Sequence, residues 1–189
     1  MSQHTAENRE RVLNGVDVDA VAGLIDAVRE KPDLAESKFR VSNKWIAGGH
    51  NRTTVTDFYG AGQDIFHREP FVLDADEPPI LAGQDKGANP VEHLLHSLAS
   101  CMTTTLVYHA AVRGIKLDEV ESEYEGDIDL KGFLAISDKV RPGYQEIRVR
   151  FKVKSDPENV ERLKALSRLS PVYDVVSKGT RVNVQIERK

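Results

Sequence analysis

Glu119, Glu121, Glu123, Glu125, Asp127 and Asp129 occupy every second position of one segment, with Val120, Ser122, Tyr124, Gly126, Ile128 and Leu130 between them. Side chains alternate between the two faces of an extended strand, so this segment reads as a strand with an acidic face. Residues 145–154 repeat the pattern with the opposite sign: Arg148, Arg150, Lys152 and Lys154 alternate with Ile147, Val149, Phe151 and Val153. If the two segments pair antiparallel, acids lie beside bases on the solvent side, each pair contributing about 0.2–1 kcal/mol. The pairing accounts for the acidic row without a bound cation or a basic partner.

Residues 88–114 carry the clearest helix, with Asn89 placed to cap it, Pro90 at its first position and Gly114 just past its end. Val91, Leu94, Leu95, Leu98, Met102, Leu106 and Ala110 form one apolar stripe. Cys101 falls on this stripe or at its margin. Earlier in the chain, Val18, Val21, Leu24, Ile25 and Val28 follow the capping candidates Asp17 and Asp19, so the first thirty or so residues read as helical up to Lys31-Pro32-Asp33.

Two-residue alternation then predicts a strand through Val41, Asn43, Trp45 and Ala47, a turn at Gly48-Gly49 and a second strand from Thr53 to Tyr59. The stretch from Gly60 to Gly87, rich in Pro, Gly and Asp, reads mostly as loop and sheet edge. After the charged strands, Ser155 and Glu158 are spaced as a capping box before Val160, Leu163, Leu166 and Leu169. A further helical piece follows Pro171, and Val182, Val184 and Ile186 alternate as a terminal strand. The order predicts an α+β fold rich in antiparallel sheet, not repeated βαβ units.

The 189 residues suit one domain of ordinary size or a domain with an appendage, and 40% hydrophobic with 30% charged residues argue against a disordered or fibrous chain. A net charge of −4 gives no general reason to bind nucleic acid or an anionic membrane. No apolar run approaches a membrane span, and residues 1–15 are too polar for the apolar part of a signal peptide, so a cytoplasmic protein is expected. The one cysteine excludes a disulfide framework and any multi-cysteine zinc site.

Cys101 is the one strong soft nucleophile, and a thiolate meeting a peroxide can form a sulfenic acid. A single cysteine on an apolar stripe is equally suited to be a small core residue. The helix dipole fades within the first turn and Cys101 lies three turns past Asn89, so activation requires a cation or a donor from elsewhere. His96, Cys101 and His109 share a helix, but positions five apart diverge by about 140°, so no metal is expected there. The glycines match no phosphate loop or dinucleotide fingerprint, no Gly-x-Ser-x-Gly elbow is present, and no cofactor is expected.

The stretch from Gly87 to Cys101, Gly-Ala-Asn-Pro-Val-Glu-His-Leu-Leu-His-Ser-Leu-Ala-Ser-Cys, followed by Gly114-Ile115, resembles the cysteine-bearing central helix of the OsmC and organic hydroperoxide resistance (Ohr) family. Arg141-Pro142-Gly143-Tyr144-Gln145-Glu146-Ile147 and Ser170-Pro171-Val172-Tyr173-Asp174 resemble its later strand and second active-site segment. The likeness runs from about residue 38 to the C-terminus, leaving residues 1–37 as an N-terminal helical extension and 38–189 as an OsmC-like domain.

The resemblance implies an OsmC-like α+β fold with two main helices, an intertwined homodimer, and a peroxidatic Cys101. Ser170 stands at the resolving cysteine and Val91 at the active-site glutamate. His50 stands at the usual arginine, with Arg52 two residues on along the same strand face. The expected activity is a one-cysteine, thiol-dependent reduction of organic hydroperoxides in oxidative stress defence by Cys101, His50 and Arg52, with an external thiol as reductant. The alternative is a non-catalytic protein on the same dimeric scaffold that binds a small hydrophobic ligand.

Overall fold

A computed structural model describes residues 11–188 of the chain, which divides into two compact units, Met1–Leu94 and Leu95–Lys189. The part of the helical extension before Arg11 lies outside the described residues.

In the first unit, strands β1 (Val12–Leu13) and β2 (Val16–Asp17) pair antiparallel around Asn14-Gly15, both at positive φ (54° and 76°). Two successive left-handed residues make the tight hairpin turn whose twist matches that of its strands. Residues 12–17 are therefore a hairpin and not part of the helix expected there. Helix α1 (Val18–Glu30) follows as the spacing predicted, its N-terminus capped by the Asp17 carboxylate accepting from the Ala20 N–H at 2.8 Å.

Strands β3 (Lys38–Phe39), β4 (Ser42–Ala47), β5 (His50–Gly60) and β6 (Gln63–Ala75) form an antiparallel sheet in which β5 pairs with all three others. The second expected strand thus begins at His50, three residues earlier than the alternation suggested. The larger correction is β6, thirteen continuous residues of strand in a stretch that reads mostly as loop and sheet edge. Its Pro70 falls where the pairing slips between Phe66↔Asp57 and Phe71↔Val55, so the missing N–H interrupts no regular ladder.

Helix α2 (Pro90–Val112) contains the division between the units. Its start is a reciprocal cap: the Asn89 Oδ1 accepts from the Val91 N–H at 2.9 Å, and the Glu92 carboxylate accepts from the Asn89 N–H at 2.8 Å. Its end is closed by Gly114 at φ 70°, with the Ile115 N–H donating to the Ala110 carbonyl. Leu98, Met102, Leu106 and Ala110 are buried, and Leu94 at the same stripe is exposed.

In the second unit, β7 (Glu119–Asp127) and β8 (Glu146–Lys154) pair antiparallel in the register that sets acid against base: Glu119↔Lys154, Glu121↔Lys152, Glu123↔Arg150 and Glu125↔Arg148. Arg148 bonds Glu125, Asp127 and Glu146 together, which pushes its guanidinium pKa further up. The strand stops at Asp127, short of Leu130, because the Asp129 carboxylate accepts from the Lys131 N–H and caps the single-turn helix α3 (Leu130–Phe133). Tyr144, from the Arg141–Ile147 segment, lies over Gly126, where a methyl group would overlap its ring.

Helices α4 (Val160–Ser167) and α5 (Pro171–Lys178) complete the unit. The capping box at Ser155 does not form. Its hydroxyl donates instead to the Lys116 carbonyl at 2.7 Å, and a 3-10 turn, Pro157–Asn159, precedes α4. Ser170 caps α5, its hydroxyl accepting from the Tyr173 N–H at 3.1 Å. Residues 179–188 form no strand: they alternate, yet no neighbouring strand pairs with them, and Val182, Val184 and Ile186 are exposed.

The core of this unit is Leu106, Ala110 and Ile115 against Leu163 and Leu166, flanked by Leu117, Val120, Phe151 and Val153. Leu106 is 1% exposed. Leu106→Ala is expected to lower unfolding stability by about 3 kcal/mol, the usual cost of removing a buried leucine side chain, as measured by urea denaturation. A loss under about 1 kcal/mol would show that this cluster is not the core in solution.

Candidate functional site

Each unit carries one arrangement able to do chemistry. In the first, β5 presents His50 and Arg52 on one strand face, two residues apart, and the register places Arg52 opposite Asp74 of β6. The Arg52 Nε and Nη2 donate to the two carboxylate oxygens of Asp74 at 2.9 and 3.0 Å, while His50 Nε2 lies 2.9 Å from Asp74 Oδ1. The two candidates thus share one carboxylate.

The bidentate Arg52 bond, then the His50 bond, hold the Asp74 carboxyl down at about 2. An ionised carboxylate can only accept, so the His50 Nε2 facing it carries a proton. The Arg52 guanidinium pKa rises for the same reason. Since the folded-state pKa of Asp74 is depressed, the stabilisation it confers is complete above the ordinary carboxylate value near 3.8 and is lost as pH falls through about 2. Carboxyl NMR titration is expected to give Asp74 a midpoint near 2, moved toward the ordinary value in Arg52→Met. An ordinary midpoint in the wild type would mean that the Arg52 bond is not held in solution.

The segment after Asp74 is fixed by Asp76, 1% exposed, whose carboxylate accepts from the N–H groups of Glu77, Gln84 and Lys86. Those bonds lower its pKa against the opposing effect of burial. Gly49, in the turn before His50, lies so close to Asp76 Oδ1 that a Cβ would stand 2.8 Å away. The Glu77 carboxylate reaches the Asn89 side-chain amide, and His93 Nε2 lies 3.1 Å from the Asp74 carbonyl.

Asp74 and Asp76 escape sequence reasoning because they lie in the stretch read as loop. The available signal was their two-residue spacing, which places both on one face of a strand end.

The second unit carries Cys101, a free, half-buried thiol on α2. The adjacent Met102 lines a cavity of about 650 Å³ bounded by α2, β8, α4 and α5, and Cys101 does not line it among the described residues. Successive helical residues point about 100° apart, which separates the two side chains. Ser170, expected from the resemblance to stand at the resolving-cysteine position, is completely buried as the cap of α5 and so has a structural role. His109 Nδ1 lies 2.9 Å from Arg113 Nη1, and His93 is on Asp74. No group of three His, Cys, Asp or Glu side chains is arranged to hold a metal ion among the described residues, and no helix there is long and apolar enough to cross a membrane.

A family model described as OsmC-like protein matches residues 83–185. Among solved structures, the chain is similar to an OsmC-like protein of Mycoplasma pneumoniae at 19% identity and a TM-score of 0.55, over 75% of this chain and 88% of that one. It is similar to an organic hydroperoxide resistance protein OsmC of Legionella pneumophila at 15% identity and a TM-score of 0.52, over 75% and 91%. An OsmC-like protein of unknown function from Vibrio cholerae aligns at 12% identity and a TM-score of 0.51, over 74% and 93%. No curated protein matches the sequence. At these identities the likeness establishes the fold.

Proposed function

We propose, from the premise that the chain belongs to the OsmC-like protein family, that it is a cytoplasmic, homodimeric, one-cysteine reductase of organic hydroperoxides acting in oxidative stress defence. The observation that carries this reading is Cys101, a free and partly accessible thiol on the helix whose sequence resembles the family's cysteine-bearing helix. The thiolate attacks the distal peroxide oxygen, the O–O bond breaks, and the alkoxide leaves and takes up the proton that the thiol released on ionising, giving an alcohol and a sulfenic acid. An external thiol displaces water to form a mixed disulfide, and a second thiol restores Cys101.

To His50 and Arg52 we assign the cationic role that their positions imply. Asp74 uses two of the five N–H donors of Arg52, which leaves three for another anion. Residues 38–189 are the OsmC-like domain in this reading and residues 1–37 an extension to it. The homodimer is supported by the first unit, whose sheet leaves Phe39, Trp45, Phe66 and Phe71 exposed in the single chain. The test is the intact mass of the protein after one equivalent of cumene hydroperoxide and then one equivalent of a bulky monothiol, too little to resolve the mixed disulfide. One attached thiol per chain supports the reading, and an unchanged mass overturns it.

A second reading, a protein that binds a small hydrophobic ligand, is favoured by the cavity beside Met102, whose volume lies within the range of small-molecule sites. The two readings use different residues and are tested separately.

A further inference from the structure

The cavity of the second unit is divided chemically along one helix face. Val160, Leu163, Lys164, Ser167 and Arg168 all line it, and their spacing places them on a single stripe of α4. The first two are apolar, and the rest supply two cations and a hydroxyl. Across from them Leu106, Ile147, Phe151 and Val153 give an apolar wall, Arg150 between them also lines the cavity but is paired with Glu123 at 3.6 Å, and no Asp or Glu lines the cavity among the described residues.

A lining that runs from hydrocarbon to uncompensated cation is complementary to a molecule with an apolar body and one anionic end. The cations are available for it. The Arg168 guanidinium has no ion-pair partner among the described residues, and Lys164 stands 4.0 Å from Glu161, at the outer limit of an ion pair, with both side chains largely exposed. A guanidinium fork accepts a carboxylate through two parallel N–H···O bonds. We propose that this cavity binds a single-chain aliphatic carboxylate, with its chain along Leu106, Ile147, Phe151 and Val153 and its head group at Arg168 and Lys164. The inference rests on the ligand-binding reading and needs no oxidation of Cys101.

The test is calorimetric titration of the full chain with dodecanoate, dodecan-1-ol and dodecyltrimethylammonium, each kept below its aggregation concentration. Dodecanoate is expected to saturate one site per chain and to bind about tenfold more tightly than the alcohol, the increment of one charge-assisted hydrogen bond. The ammonium ion is expected not to bind. Arg168→Met keeps an aliphatic stem and removes the charge, and is expected to bring dodecanoate close to the affinity of the alcohol while the alcohol is unaffected. Circular dichroism checks that the variant is folded.

Equal affinities for carboxylate and alcohol, or no effect of Arg168→Met, would overturn the carboxylate assignment and leave the ligand-binding reading intact. Absence of binding by all three probes would overturn both, including the case in which a second copy of the chain fills the cavity.

Discussion

Cys101→Ser is expected to consume no cumene hydroperoxide with dithiothreitol as reductant, under conditions in which the wild-type chain turns over. The loss is complete and not partial because the sequence contains one cysteine, so no second thiol can substitute. A serine hydroxyl at neutral pH does not supply the soft anion that attacks a peroxide oxygen. The same count fixes how the cycle closes: the sulfenic acid cannot condense with a cysteine of its own chain, and Ser170 is committed to capping α5. A dithiol is therefore expected to support turnover well, because its second thiol resolves the mixed disulfide intramolecularly, whereas a bulky monothiol leaves that adduct in place. Consumption by Cys101→Ser at the wild-type rate would remove the cysteine from the mechanism.

Trp45→Glu is expected to dissociate the homodimer proposed above. Trp45 is 70% exposed in the single chain, on a strand exposed along its whole length, and Phe39, Phe66 and Phe71 on other strands of the same sheet are exposed as well. Burial of an aromatic side chain contributes about 2 kcal/mol, and a two-fold interface counts each substitution twice. Replacing it with a carboxylate then costs at least roughly 4 kcal/mol, or about a thousandfold in dissociation constant. Sedimentation equilibrium is expected to give twice 21.1 kDa for the wild type and a monomer, or insoluble protein, for the variant. A wild-type monomer at tens of micromolar, or an unchanged constant in Trp45→Glu, would overturn the dimer.

The parts of the fold legible in the sequence are those written in local periodicity or local caps. Helix α2 could be read from Asn89-Pro90 to Gly114 because cap, stripe and stop lie within one segment. The pairing of β7 with β8 could be read because charge sign marks which faces meet. Strand β6 could not, since Pro70 and the density of glycine and aspartate carry the local signature of a loop, and only β5 supplies the ladder that makes it a strand. Residues 182–186 erred the other way: alternation without a neighbour yields no strand.

At the candidate sites, the sequence by itself determined the inventory: one thiol, no second cysteine to resolve it, and a histidine and an arginine two positions apart on one strand face. These follow from identity and period, which need no distant partner. The tertiary structure alone decided that His50 and Arg52 converge on Asp74, that Asp76 is buried under three backbone donors, and that α4 turns a stripe graded from apolar to cationic toward an apolar wall. Each depends on residues brought together from separate elements, or on a loop closed by its own backbone. A contact of that kind is set by strand register and packing, and a single sequence carries no local trace of it.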